Sequence, residues 1–367
     1  MGRTVLALGG GAPNFTLMTG ALLALDEAGV KIDKVSMAGG GSVVGLLYMA
    51  PMGGDRRRAL ENTVNFGVSD LIYSMFPVNY KLFQKPGPAA DRFRAWFAAL
   101  PGMQRWLNQY GMSDSHKLYS DWLQFVAAMM CPSSVGWFST GLSAHAPFIQ
   151  DVVDFDALKN NPIDCHLNAY CIEDRAPVSF EKHQIDVHTF RAGLSFPFIY
   201  PPYRLNGKHY YEGAAYQALN LKKLVEEQEE GAEADKIILF DVLRDGLITR
   251  PRTIWEAYSQ SIIIPLIALA GRELAIFEYW VHTGVDIDIN PWETVQARRP
   301  SAKPRAPRVP AQRPNVELFQ IQLEIPEAHK PYSLTWAKSN LDYLFELGYA
   351  RGKEFMQQRE NQVLLGS

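Results

Sequence analysis

The sequence predicts an α/β fold, a three-layer sandwich with a mostly parallel central sheet and helices on both faces. Three observations carry this: two early apolar runs that each end in glycines and lead into a helical repeat, strand-like runs that resume later, and an aromatic-rich helical stretch between them. Thr4 to Leu8 is the first run, closed by Gly9-Gly10-Gly11. Phe15, Met18, Leu22, Leu25 and Ala28 then recur at helical spacing up to Gly29, a natural stop. A second run, Ile32 to Ala38, enters Gly39-Gly40-Gly41. Val43, Val44, Leu46 and Leu47 then begin a helix that Pro51 ends. Two strand–helix units in succession imply a parallel sheet with crossover connections.

Residues 55–145 read as a helical insertion over the sheet, rich in Trp, Phe and Met and broken at Pro77, Pro86, Pro101 and Pro132. Such helices can cap a pocket as a lid or bury an interface. The stripe Phe93, Trp96 and Phe97 is read as core. Strands are expected at Cys165 to Cys171 and Lys236 to Val242, followed by a long helix from Thr253 to His282. Residues 298–315 alternate proline and arginine, as an extended solvated loop would. Residues 316–367 supply a last strand, Val316 to Ile325, and a last helix, Leu334 to Phe355. Residues 1–367 therefore read as one domain without internal repeats.

With 367 residues, 47% apolar side chains, 20% charged residues and a net charge of −3, the chain can bury a large core and has no global field for nucleic acid. Cys131, Cys165 and Cys171 are too few and too irregular for a disulfide framework and are expected to be buried thiols in a reducing compartment. The opening run Val5–Leu8 is too brief for a signal-peptide core. The apolar stretch Ser261 to Ala270 is interrupted by Pro265 and too short to span a membrane. These readings place the protein in the cytoplasm. The helix around Ile262 to Leu269 could lie at a membrane interface, although a buried helix is the plainer expectation. No His or Cys spacing suggests a metal, and no cofactor is expected. Gly9-Gly10-Gly11-Ala12-Pro13-Asn14 also fails as a dinucleotide loop, because Asn14 stands where a third glycine is required.

Several blocks together carry a resemblance. Leu6-Ala7-Leu8-Gly9-Gly10-Gly11, with a helix ending in Leu25-Asp26-Glu27-Ala28-Gly29-Val30, resembles the opening of the patatin-like phospholipases, a family of lipid acyl hydrolases. The turn at Gly39 sits where that family places its G-x-S-x-G nucleophile elbow, and Val43-Val44-Gly45-Leu46-Leu47-Tyr48 is similar to the helix after it. Thr140-Gly141-Leu142, Ala192 to Pro202, Tyr210-Tyr211-Glu212-Gly213-Ala214 and Gly348-Tyr349 match later landmarks in order.

The resemblance implies a serine–aspartate dyad, the serine attacking an ester carbonyl and the aspartate of a D-G-G turn acting as its base. This chain has Gly39 at the serine position and Glu212 at the aspartate position. Met37 replaces the first glycine of the elbow and Ala214 the last glycine of the D-G-G turn. The family's oxyanion loop corresponds to Gly9, Gly10, Gly11 and Ala12, with Gly40 beyond the elbow. Pro13 and Asn14 replace an arginine and a glycine, and Pro13 has no amide hydrogen to donate. Ser42 is the nearest hydroxyl that could serve as a displaced nucleophile. His209 is read as a surface residue on the Asn206-Gly207 turn.

Three functions follow from these residues. The first is a degenerate acyl hydrolase whose pocket holds an acyl chain or hydrophobic metabolite, or whose surface meets a protein partner. The second is a lipid acyl hydrolase or acyltransferase acting through Ser42 and Glu212. The third is a repurposed enzyme of another reaction class, with Glu212 as acid or base and the glycine amides as an anion site.

Overall fold

The computed structural model describes residues 2–11, 14–103, 107, 109–226, 235–251, 254–284 and 315–365. Ala12, Pro13 and all but Asn315 of the expected proline- and arginine-rich loop lie outside them.

The chain begins with strand β1 (Thr4–Leu8), helix α1 (Phe15–Glu27), strand β2 (Lys34–Met37) and helix α2 (Gly40–Met49). Each apolar run pairs as a strand and each glycine cluster turns it into a helix, as the sequence predicts. Every residue of β1 is buried, so successive side chains meet cover on both faces, as in a parallel sheet between two helical layers. Helix α1 is likewise buried all round from Phe15 to Leu25.

Residues 55–145 contain α3 (Arg56–Asn62), α4 (Asp70–Met75), α5 (Pro88–Ala98) and α6 (Asp114–Met130). This segment is tied down by a buried ion pair, Lys81 Nζ to Asp121 Oδ1 at 2.6 Å. The Asp121 carboxylate also accepts from the Ser69 amide at 2.7 Å and the Gln109 amide group at 2.5 Å. Lys81 donates to the Gly67 and Asn65 carbonyls at 2.6 and 3.1 Å. Burial acts against the charge on Lys81, and Asp121 opposes that effect. The stripe on α5 is half-buried at Phe93 and Phe97, while Trp96 is exposed.

After the short helices α7 (Ile149–Val152) and α8 (Phe155–Lys159) comes β3 (Asp164–Cys171), then β4 (Ala176–Glu181), α9 (Val187–Gly193), β5 (Tyr203–Leu205) and β6 (Lys208–Glu212). The chain continues through α10 (Leu221–Glu226), β7 (Asp235–Asp241), α11 (Ile254–Thr283) and β8 (Val316–Gln322), and then α12 (Lys338–Gln357). The eight-stranded sheet runs β5-β6-β3-β2-β1-β7-β8, with β4 on the other side of β3. Strands β3, β2, β1, β7 and β8 are mutually parallel, and β4, β5 and β6 join antiparallel.

Helix α12 packs directly on α1. A Cβ built on Gly20 would collide with the Phe345 carbonyl, and one on Gly348 with the Leu17 carbonyl, so small residues set this close approach. Cys131, Cys165 and Cys171 are free and buried, and burial pushes the Cys165 thiol up to about 12. Helix α11 matches the long helix expected at Thr253 to His282, and the departure lies only in its apolar length. It runs on through Pro265, and its Glu256–Thr283 stretch is long and apolar enough, by length and composition, to cross a membrane. Ile263, Leu266, Ile267, Ala270, Phe277 and Trp280 nevertheless bury one side of it in the core.

Candidate functional site

Strand β3 brings the two halves of the site together. Along one edge it pairs first with β2, Leu167 opposite Met37, and then with β6, Ala169 opposite Glu212. Because β2 runs parallel to β3 and β6 antiparallel, their C-terminal ends meet head-on. Gly39 and Glu212 are thereby juxtaposed, though 173 positions separate them in sequence (212 − 39).

Gly39 joins β2 to α2 with φ 51° and ψ −127°, a backbone conformation that strains residues other than glycine. This is the sharp strand-to-helix turn that an exposed elbow nucleophile requires. A Cβ built on Gly39 would fall against Glu212 Oε1 and lie 3.2 Å from the Ala214 Cβ, so the Glu212 carboxyl fills the space a side chain at 39 would need.

Glu212 itself is buried, its amide donating to the Ser195 carbonyl at 3.0 Å. No donor or cation among the described residues reaches its carboxyl, and burial alone pushes it up to about 8. At neutral pH the group is therefore mostly a neutral acid. Burial and then the nearby Glu212 carboxyl raise the Tyr200 hydroxyl above its ordinary value. Tyr200 stacks on His145, whose Nε2 lies 2.8 Å from the Pro201 carbonyl. The landmark Thr140-Gly141-Leu142 meets the Ser195–Pro202 block through the Leu142 and Ser143 amides, which donate to the Ile199 carbonyl at 3.0 and 2.8 Å.

The glycine loop lies on the other side. A Cβ on Gly10 would sit 2.9 Å from the Ala214 Cβ and 3.8 Å from Glu212 Oε1, so Gly10 borders the same spot. Its amide donates to the Ala218 carbonyl at 3.3 Å, and the Gly9 carbonyl accepts from Gly41 at 3.1 Å. Gly11 faces Val242 and Leu243, and Gly40 is half-buried at the start of α2. Ala12, the fourth residue of the predicted anion loop, lies outside the described residues.

Ser42 is fully buried, and its hydroxyl donates back to the Gly39 carbonyl at 2.5 Å. That bond points the oxygen into the turn of α2 rather than toward Glu212. His209 is half-exposed, with Nδ1 2.7 Å from Glu173 Oε1, in keeping with its reading as a surface residue. One contributor was invisible in the sequence. Glu273 of α11 accepts from the Leu219 and Leu221 amides at 2.9 and 3.0 Å, holding the loop whose Ala218 carbonyl engages Gly10. Nothing in the sequence sets Glu273 apart from Glu256 and Glu278 of the same helix.

Among the described residues, no group of three or more His, Cys, Asp or Glu could hold a metal ion. A cavity of about 50 Å³ beside Gly11, lined by Leu239, Phe240, Val242, Leu243, Ala270 and Leu274, is too small for an acyl chain as it stands.

The family profile for patatin-like phospholipase matches residues 6–225, from β1 through both halves of this site. The chain belongs to the patatin-like phospholipase family. Among solved structures it is similar to VipD from Legionella pneumophila, at 12% identity and a TM-score of 0.38, over 97% of this chain. It spans 66% of the length of that protein, and the likeness is too loose to inform the site. A search of curated proteins found no sequence match. The matched residues include both Gly39 and Glu212.

Proposed function

We propose that this patatin-like protein does not hydrolyse lipid esters and uses its retained scaffold to bind an acyl chain, a hydrophobic metabolite or a protein partner. The observation that carries this reading is the pairing at the elbow: no oxygen at residue 39, and the Glu212 carboxyl in the space where a nucleophile would stand. Removing the nucleophile of a serine hydrolase lowers turnover by about six orders of magnitude in the protease case. The position and hydrogen bond of Ser42 weigh against a displaced nucleophile. Holding an acyl chain at the site requires it to open beyond the small cavity near Gly11.

The test is intact-protein mass spectrometry after a fluorophosphonate probe, on the unaltered chain, Gly39→Ser, and Gly39→Ser with Glu212→Asp. The proposal expects no adduct on the unaltered chain and labelling only in the double variant, where the shorter acid leaves room for the serine. A stoichiometric adduct on the unaltered chain would overturn it, and peptide mapping would name the nucleophile.

A second reading has one observation in its favour. A buried carboxyl with its pKa near 8 is poised to give or take a proton at physiological pH, a property concentrated at functional sites. As acid or base in another reaction class, Glu212 would be essential. An unchanged cellular phenotype with Glu212→Ala would remove that reading.

A further inference from the structure

The strongest unassigned feature lies between α6 and the site. From Trp122 through Gln150 the sequence contains no Asp, Glu, Lys or Arg, although a fifth of the chain (20%) is charged. The one titratable base there, His145, has its pKa lowered by burial and so stays neutral near pH 7. Within this stretch Trp137 and Phe138 are fully exposed, and Val126, Met129, Met130, Val135 and Leu142 are exposed as well. Isolated apolar residues on a surface are ordinary, but seven exposed ones within an uncharged run of 29 residues, including an adjacent Trp-Phe pair, are not.

The pair is presented by a built turn. The Ser139 amide donates to the Gly136 carbonyl at 3.0 Å, and the Gly136 amide donates to Ser139 Oγ at 2.9 Å. Reciprocal bonds thus close Gly136–Ser139 with Trp137 and Phe138 at its tip. One leg is pinned by Ser134, whose amide and hydroxyl both donate to the Pro86 carbonyl, at 3.0 and 2.9 Å. The other leg is pinned by Leu142 and Ser143 on the Ile199 carbonyl, beside the site. The residues flanking the tip are Ser, Gly and Thr, which are far cheaper than charged groups to bring to an apolar boundary.

Positive charge sits at the base. Lys85 Nζ donates to the Cys131 and Met129 carbonyls at 2.9 and 3.2 Å. Arg92 is exposed on α5, two residues from Ala90, whose carbonyl Cys131 Sγ approaches at 4.0 Å. Neither Lys85 nor Arg92 pairs with a carboxylate among the described residues. An apolar tip ahead of a basic base matches the cross-section of an anionic lipid surface, with acyl chains below and phosphate above.

We infer that the Gly136–Ser139 turn is a membrane anchor. Trp137 and Phe138 enter the interface of an anionic phospholipid surface, and Lys85 and Arg92 face its phosphates. This assignment stands whether or not the site at Gly39 and Glu212 has any chemistry.

The experiment is flotation of the full chain with vesicles of phosphatidylcholine and phosphatidylglycerol, and with phosphatidylcholine alone, alongside size-exclusion chromatography. The unaltered protein is expected to float with the mixed vesicles, and less with neutral ones. Trp137→Ser/Phe138→Ser should weaken that binding by roughly tenfold or more, given what two aromatic side chains gain on leaving water. The thermal midpoint should not fall, because both side chains face solvent. Failure of the unaltered chain to bind, or equal binding by the double variant, would overturn the inference. Equal binding to neutral vesicles would overturn the role of Lys85 and Arg92. An oligomer that the double variant dissolves, with no vesicle binding, would assign the turn to a second copy of the chain instead.

Discussion

Asp121 in the helical segment and Glu212 at the end of β6 are both buried carboxyl side chains, yet one is wrapped in donors and the other meets none among the described residues. Asp121 receives a lysine, a serine amide and hydroxyl, and a glutamine, so its carboxylate oxygens are matched by donors inside the fold. Glu212 has Gly10, Gly39, Ala214 and Tyr200 around it, and burial alone sets its proton affinity. A carboxylate satisfied on every side is part of the scaffold. One that meets no donor among the described residues has burial alone acting on its proton affinity, a pattern concentrated at functional sites. The comparison separates a carboxyl that ties chain segments together from one that ties none among the described residues.

Breaking the Asp121 network should have the largest effect. Asp121→Ala leaves the Lys81 ammonium buried without its counter-charge and should destabilise the protein by about 3–5 kcal/mol. Chemical denaturation would show this as a lower midpoint. Replacing both partners, Lys81→Met with Asp121→Leu, should recover much of the loss, since no buried charge is then stranded. If Asp121→Ala proved neutral, the two carboxyls would not differ as described.

Glu212 should behave in the opposite sense. Its carboxyl holds a proton up to about pH 8 in the folded state, against an ordinary value of 4.5. Below pH 4.5 both folded and unfolded chains are protonated, and the neutral acid is tolerated in full. As pH rises from about 4.5 to 8 the unfolded chain ionises first, and stability falls by about 1.4 kcal/mol per unit, on the order of 4 kcal/mol by pH 8. Glu212→Gln should abolish that fall. Melting curves between pH 5 and 8.5 should show the variant gaining on the unaltered protein as pH increases. Parallel curves would mean that the carboxyl is solvated.

The contrast also marks how far the sequence could be read. The units β1–α1 and β2–α2 are legible because continuous apolar runs end in glycines, a local signal. Strands β4, β5 and β6 carry no such signal: Lys208–Glu212 mixes charged and aromatic residues, and β5 has three residues. β4 and β6 are strands because β3 offers them its two edges, and β5 because it pairs with β6. Glu212 was recognisable only by its place in an ordered set of family landmarks, and its collision with a side chain at 39 depends on β2 and β6 meeting end to end. The Lys81–Asp121 pair, separated by a prolonged helical segment, leaves no periodic trace. Helix α11 is legible at its full length, but Pro265 reads as a break in its apolar run, whereas the helix continues through it with core residues on either side.

A side chain at residue 39 tests the steric half of the comparison. Gly39→Ser must adopt φ near 51° and displace the Glu212 carboxyl, so a loss of about 1–3 kcal/mol is expected. Glu212→Asp retracts the carboxyl by one methylene. Combined with Gly39→Ser it should therefore give less than the sum of the two single losses, with a coupling of about 1 kcal/mol or more in a double-mutant cycle. Strict additivity would show that the two residues do not compete for the same space.

The smallest expected effect belongs to Ser42. Its hydroxyl donates to the Gly39 carbonyl, but that carbonyl also accepts the Ser42 amide at 3.0 Å, so Ser42→Ala orphans no buried acceptor. The cost should be about 0.5–1.5 kcal/mol, the net worth of one hydrogen bond. Labelling by a fluorophosphonate should not change. A hydroxyl held against the backbone of its own helix is a poor nucleophile, because attack would first require breaking that bond and turning a buried oxygen outward. Ester turnover that vanishes with Ser42→Ala while the melting midpoint holds would show that this rearrangement occurs, and would make Glu212 its base rather than a solitary acid.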